Sequence, residues 1–236
     1  MTNTTWGRAA FAAGPLCMGA YGLVRLIDDD HGPGPDWSIG HLALLAGVLL
    51  FVPVFVGLRG AAARGSGPAG RWFAGTGAVL GLLGVAAVTG QAVIDLVVGY
   101  CSADRATMDE LFDRIQGGPG IGPAFYTVGP LLFHVGLVLL TAQAAVVRAV
   151  AAWRPVAVVA ATALTAVSLD LLPLGALLFL LALAPLGEPS GRGAAAPVRR
   201  TELSVRRTGD EGGPAPVLVL AQQPSAQSHQ RAGQQS

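Results

Sequence analysis

The chain has no lysine. All 15 of its basic residues are arginine, in a sequence of 236. Together with abundant alanine, glycine and proline, this points to a GC-rich genome and carries no mechanism. Charge of either sign is scarce, at 12% of residues, and is absent from several long apolar runs. A soluble domain of this size would scatter charge along every surface element. Uncharged runs of about 18 residues or more read instead as membrane helices. Short strands alternating apolar and polar residues are also missing, which excludes a β-barrel reading. The formal net charge of +1 excludes a nucleic acid as the expected partner. There are two cysteines, Cys17 and Cys101, too few and too far apart for a metal-type spacing. One falls mid-membrane and the other at an interface, so a disulfide between them is not expected. Cys17 follows Gly14-Pro15-Leu16, and the proline fits a lipid-attachment signal poorly.

What is present is hydrophobic, and a lipid bilayer is the expected partner. In hydrocarbon every backbone N–H and C=O must pair within the segment, so these runs are expected to be helices. The first runs from Arg8 to Ile27, with an uninterrupted apolar part over Ala9–Val24 and a kink expected at Pro15. A signal peptide is the rival reading, but no small-x-small cleavage site precedes the run Asp28-Asp29-Asp30. A polar loop DDDHGPGPDWS follows, then a second segment, Ile39–Leu58, with His41 near its start and Pro53 inside. The third, Trp72–Tyr100, is glycine-rich and carries Gln91 and Asp95 one turn apart on one face. The other segments are expected to pack around it.

Between the third and fourth segments, Met108, Leu111, Phe112 and Ile115 recur at helical spacing. Thr107 and Glu110 fit a capping box. A short amphipathic helix lying on the membrane face is expected, ending at Gly117-Gly118-Pro119-Gly120. The fourth segment spans Pro123–Val147 with His134 near its middle. The fifth, Val156–Leu186, exceeds a ~30 Å hydrocarbon core by half at ~1.5 Å per residue. Asp170 as an N-cap and Pro173 in the following first turn suggest a break near Ser168–Asp170. The expected form is a hairpin of two short helices. One long kinked helix is the alternative.

Arginine-bearing loops stay cytoplasmic. Arg8, Arg59/Arg64/Arg71 and Arg148/Arg154 therefore place the N-terminus inside, in a cell membrane, and the hairpin brings the C-terminus inside as well. The tail over 188–236 is rich in Pro, Gly, Ser and Gln, lacks aromatic residues and is expected to be disordered. The expected fold is an all-α polytopic transmembrane bundle over 1–187. It has five hydrophobic segments, the last split to make six helices, followed by the disordered tail.

Ionisable groups inside membrane helices are costly and usually face the bundle interior, where they pair or line a path. The candidates are Arg25, His41, Gln91, Asp95, His134 and Asp170. Measured from the outer ends of the predicted segments, Asp95 lies ~7 Å deep and His134 ~17 Å deep, with His41 close to the edge. A proton, ion or ligand site among His41, Asp95 and His134 is one reading. Interhelical glue is the other, with Asp95 bonded to Arg25 or His41. Bis-histidine haem needs both ligands at one depth, and a zinc site suffers the same mismatch. No cofactor is expected. Arg64-Gly65-Ser66-Gly67 lacks the first glycine of a nucleophile elbow, and no P-loop is present. Gly77, Gly81, Gly84 and Gly90 offer a small-residue surface for close helix packing. Its expected counterpart is another helix of the same chain. A second copy, giving a homo-oligomer, is the other option.

Gly40-His41-Leu42, Gln91-Ala92-Val93-Ile94-Asp95-Leu96 and Gly129-Pro130-Leu131-Leu132, over roughly residues 8–187, resemble a loose group of uncharacterised multi-pass membrane proteins from GC-rich bacteria. The resemblance implies a membrane location and no activity. The leading functional expectation is a non-enzymatic structural or accessory membrane protein held by polar glue. The alternative is a small transporter or sensor with a responsive site at His41, Asp95 and His134, for an unknown small-molecule ligand. An enzyme ranks third, because no nucleophile–base or metal constellation is visible.

Overall fold

A computed structural model describes residues 5–28 and 30–186. All of these fall within the first of two units, Met1–Gly191; the second is Arg192–Ser236. The expectation of a disordered tail lies outside the described residues. The helices are α1 (Thr5–Ile27), α2 (Pro35–Ala63), α3 (Pro68–Cys101), α4 (Arg105–Gln116), α5 (Gly129–Val146), α6 (Trp153–Val167) and α7 (Leu172–Leu183). A π-helical turn, Gly122–Val128, leads directly into α5. No strand occurs among the described residues.

Four spans are long and apolar enough to cross a membrane: Gly7–Ile27, Pro35–Ala63, Pro68–Cys101 and Gly122–Val146. Their outward faces carry large apolar side chains, among them Leu16, Leu49, Leu83 and Leu131, each about half exposed. Water would not tolerate so continuous an apolar exterior. Lipid does, and the fold is that of a membrane protein.

Six helices form a ring. α1 packs on α2, α2 on α3, α3 on α5, α5 on α6, α6 on α7, and α7 back on α1, with a further α2–α5 contact across the middle. The closest approach is between α3 and α5. A Cβ on Gly84 would sit 2.2 Å from the backbone nitrogen of Phe133, and one on Gly136 would sit 2.4 Å from the nitrogen of Gly81. Backbone therefore meets backbone, and no other residue type fits at either position. Gly77 faces Leu140 of α5, Gly81 also accepts the Phe55 ring of α2, and Gly90 accepts the Phe125 ring. Each of the four glycines singled out in the sequence thus lies against another element of the same chain. The core beside this seam is aromatic. Phe51, Phe55, Phe133 and Phe179 are fully buried, and Phe133 meets Phe51 and Phe55 edge-on at centroid distances of 4.9 and 5.5 Å.

The apolar stretch 156–186 is broken where a break was expected, but the cap is different. Ser168, not Asp170, accepts the free backbone N–H, from Asp170 itself at 3.1 Å. Pro173 occupies the first turn of α7, where its missing N–H leaves nothing unpaired. α6 and α7 then run antiparallel. Gly175 lies against Ala161 and Thr165, and Arg154 at the far end donates to the Ala182 carbonyl at 3.2 Å.

Two local expectations are corrected. α4 begins at Arg105 with Asp104 as its cap; the Asp104 carboxylate accepts from the Thr107 N–H at 2.8 Å. Thr107 is therefore the third residue of the helix, and Glu110 pairs with Arg114 one turn on instead of closing a capping box. α2 starts at Pro35, four residues before the apolar run at Ile39, because proline fits a first helical turn and Asp36 complements its positive end. Pro15 and Pro53 lie inside α1 and α2 without ending them.

Candidate functional site

The earlier start of α2 changes where His41 sits. It is six residues from the helix start, ~9 Å along the axis, and not at the edge. Asp95 is six residues from the end of α3, the same distance, so the antiparallel helices bring the two side chains to one level. His41 Nε2 and Asp95 Oδ2 are 3.7 Å apart, with both side chains at least nine-tenths buried. That distance is an ion-pair contact and is longer than a hydrogen bond. His41 Nδ1 donates to the Trp37 carbonyl at 2.8 Å, which leaves Nε2 facing the carboxylate.

Two residues that sequence reasoning missed complete the junction. The Tyr126 hydroxyl donates to Asp95 Oδ1 at 2.7 Å. Trp37 Nε1–H donates to the Asp95 backbone carbonyl at 2.8 Å, and its ring stacks on His41 at a centroid distance of 4.1 Å. Gly99 makes room for this indole, since a Cβ there would stand 2.4 Å from the ring. Tyr21 of α1 meets the His41 ring edge-on at 5.2 Å. Gln91 reaches Asp95 from one turn earlier on α3. Trp37 lay in a stretch that reads as a polar loop, and Tyr126 in a segment whose register the sequence leaves open. Their signal was weak: an aromatic donor near each interface.

The π-turn decides where Tyr126 points. Gly129 N–H bonds the Ala124 carbonyl, five residues back, immediately before Pro130, which has no N–H to offer. The wider turn absorbs the missing bond and rotates the preceding residues. Tyr126 thereby faces α3.

The remaining candidates are elsewhere. Arg25 pairs with Asp170 at 3.3 Å, joining the end of α1 to the hairpin tip at the surface, and does not reach Asp95. His134 stands apart from the Asp95 junction. Its Nδ1 donates to the Pro130 carbonyl at 2.7 Å, and Nε2 is buried with no hydrogen-bond partner among the described residues. Gln91 Oε1 is orphaned in the same way. Both side chains line a cavity of about 470 Å³ in the middle of the helix ring. All six ring helices contribute to its wall, including Met18, Leu44, Gln91, His134, Thr165 and Leu172, and Tyr126 separates it from Asp95. Phe133 also lines it and carries the Phe51 and Phe55 rings behind it, so the aromatic core is its floor.

No family model, no curated protein and no solved structure matches this chain. The chemistry must be taken from the geometry. Among the described residues no three His, Cys, Asp or Glu side chains converge as a metal site would require. Cys17 and Cys101 are both free thiols. The room beside His41, among Tyr21, Arg25, Trp37 and their neighbours, is about 10 Å³. That is close to the limit for one water and too little for a solute path. The arrangement can do two things. It can lock three elements together through a buried carboxylate, and it can hold a mostly apolar body of modest size that supplies hydrogen-bond donors.

Proposed function

We propose that this protein is a multi-pass integral membrane protein that binds a small, largely apolar molecule carrying hydrogen-bond donors, in the cavity at the centre of its helix ring. The observation that carries the reading is the pair of orphaned acceptors, Gln91 Oε1 and His134 Nε2, on two side chains that line one cavity. A buried polar atom left without a partner costs about 1–3 kcal/mol. A ligand donor would remove that cost, and apolar walls with a few convergent polar groups are the usual form of a ligand site. Asp95 belongs to the frame of this site. Its carboxylate is bonded by Tyr126 and Gln91 and faces His41, so it acts as the interhelical glue and leaves ligand contact to Gln91 and His134.

The reading places the protein in a cell membrane with six crossings, α6 and α7 being the short ones, and both ends of 5–186 on the cytoplasmic side. Arginine placement supports it. Arg8, Arg59, Arg64, Arg71, Arg148 and Arg154 share one end of the bundle, while every described Asp and Glu lies toward the other.

The test uses full-length protein in detergent and two fluorescent probes, aminoanthracene, which has an amine donor, and anthracene, which has none. Aminoanthracene is expected to bind more tightly, and Gln91→Leu and His134→Leu are expected to erase that preference. Equal binding of the two probes, or a preference that survives both substitutions, overturns the proposal. A membrane-impermeant maleimide is expected to label Cys101, which is exposed at the acidic end, from outside intact cells.

A further inference from the structure

At the arginine end, α2 and α3 leave an open groove of about 870 Å³ on the outer surface of the bundle, separate from the central cavity. Its mouth is cationic. Arg59, near the end of α2, and Arg71, near the start of α3, both line it, with the exposed Trp72 beside them. Deeper along the same two helices the lining turns apolar, through Val56 on α2 and Val79 and Leu82 on α3. No acidic side chain among the described residues lies at this end of the bundle, so neither guanidinium has an internal counter-ion there. At the opposite end Arg25, Arg105 and Arg114 each pair with a carboxylate.

We propose that this groove holds one anionic phospholipid, its headgroup phosphate between Arg59 and Arg71 and an acyl chain along Val56, Val79 and Leu82. The order of chemistry along the groove is that of a phospholipid: anion at the interface, aromatic ring at headgroup level, hydrocarbon below. Guanidinium forks match phosphate oxygens in pairs, and indoles favour the interface. Gly75 supplies the width. It lines the groove, and a Cβ built on it meets nothing within 4 Å. A soluble anion would need only the arginines and would leave the apolar part and the space at Gly75 unused.

The experiment is native mass spectrometry of the full-length protein released from detergent and titrated with phosphatidylglycerol, with phosphatidylcholine and inorganic phosphate as comparisons. The expected result is one retained phosphatidylglycerol, in preference to phosphatidylcholine, that millimolar phosphate does not displace. Arg59→Gln with Arg71→Gln is expected to weaken that retention about thirtyfold, since each of the two cations near an anionic surface contributes on the order of 1 kcal/mol. Gly75→Leu keeps both charges and fills the groove; it is expected to weaken retention as well. Both sets of changes lie on open surface, so circular dichroism and melting temperature are expected to match the unmodified protein. The proposal is overturned if phosphatidylcholine is retained equally, if phosphate displaces the lipid, or if Gly75→Leu binds it unchanged.

Discussion

Tyr126→Phe removes one hydroxyl from the Asp95 junction and nothing else. The ring keeps its place, and the void created is smaller than a water. What is lost is the 2.7 Å bond to Asp95 Oδ1. Hydrogen bonds to a charged acceptor contribute about 1.5–3 kcal/mol in water-soluble folds. Interhelical polar contacts in membrane proteins average about 0.6 and reach about 1.7 kcal/mol. Asp95 is buried and holds its other partners through the substitution, so the upper part of the membrane range applies, about 1–1.7 kcal/mol. For a chain of this length that corresponds to roughly 2–7 °C in melting temperature. The assay is thermal unfolding in detergent followed by tryptophan fluorescence, to which Trp37, bonded to the Asp95 carbonyl, contributes directly. A double-mutant cycle with Asp95→Asn isolates the pair, and a coupling energy of at least about 0.5 kcal/mol is expected. Additive single effects, or a Tyr126→Phe protein as stable as the original, would refute the idea that Asp95 is held in place by this bond and acts as glue.

Four further outcomes follow from the same geometry. His134→Leu is expected to leave the melting temperature of the ligand-free protein unchanged or higher, because it trades an unpaired buried nitrogen for carbon; a drop of several degrees would mean that His134 is structural. Arg25→Gln is expected to cost under about 1 kcal/mol, since exposed ion pairs contribute little, and a larger loss in the same melt would contradict the surface placement of Arg25–Asp170. Gly84→Leu is expected to abolish the monodisperse peak in size exclusion, because its side chain would need the space occupied by the Phe133 backbone. The N–H of Thr107 bonded to the Asp104 carboxylate holds that carboxyl below its usual 3.8, so the cap supports α4 above that value and the support is lost as pH falls through and below it. Amide protection over 105–116, taken relative to the intrinsic exchange rate at each pH, is expected to fall on acidification, and Asp104→Ala is expected to remove the dependence.

The hairpin and the Asp95 junction differ in how far they were visible in the chain. The break in 156–186 was legible because it rests on local rules: a run too long for one crossing, a polar capping residue, and a proline that tolerates only a first turn. The glycines of α3 were legible for a similar reason, since a periodic absence of side chains predicts close approach of something. The sequence could not name the partner, because Gly136 and the Phe133 backbone belong to a different segment and only the α3–α5 contact pairs them. The position of His41 was misjudged by one helical turn. Hydropathy marks where the apolar run begins, whereas the helix begins where backbone hydrogen bonding can start, at Pro35. His134 and Asp95 looked like members of one site by residue type and turned out to lie apart, His134 on the cavity wall and Asp95 in the junction with Tyr126 and His41.

By itself the sequence determined the solvent and the element type. Long uncharged runs cannot be stable in water as surfaces, and in lipid their backbones must close on themselves as helices. Arginine placement added a polarity along the bundle. Tertiary structure alone decided the rotation of each helix about its axis, and with it which polar atoms are satisfied. Asp95 finds Tyr126 because a π-turn before Pro130 rotates that stretch of chain, and Gln91 Oε1 and His134 Nε2 find no partner among the described residues because six helices leave a cavity between them. Helix rotation depends on contacts made by residues far apart in the chain, so no local pattern encodes it.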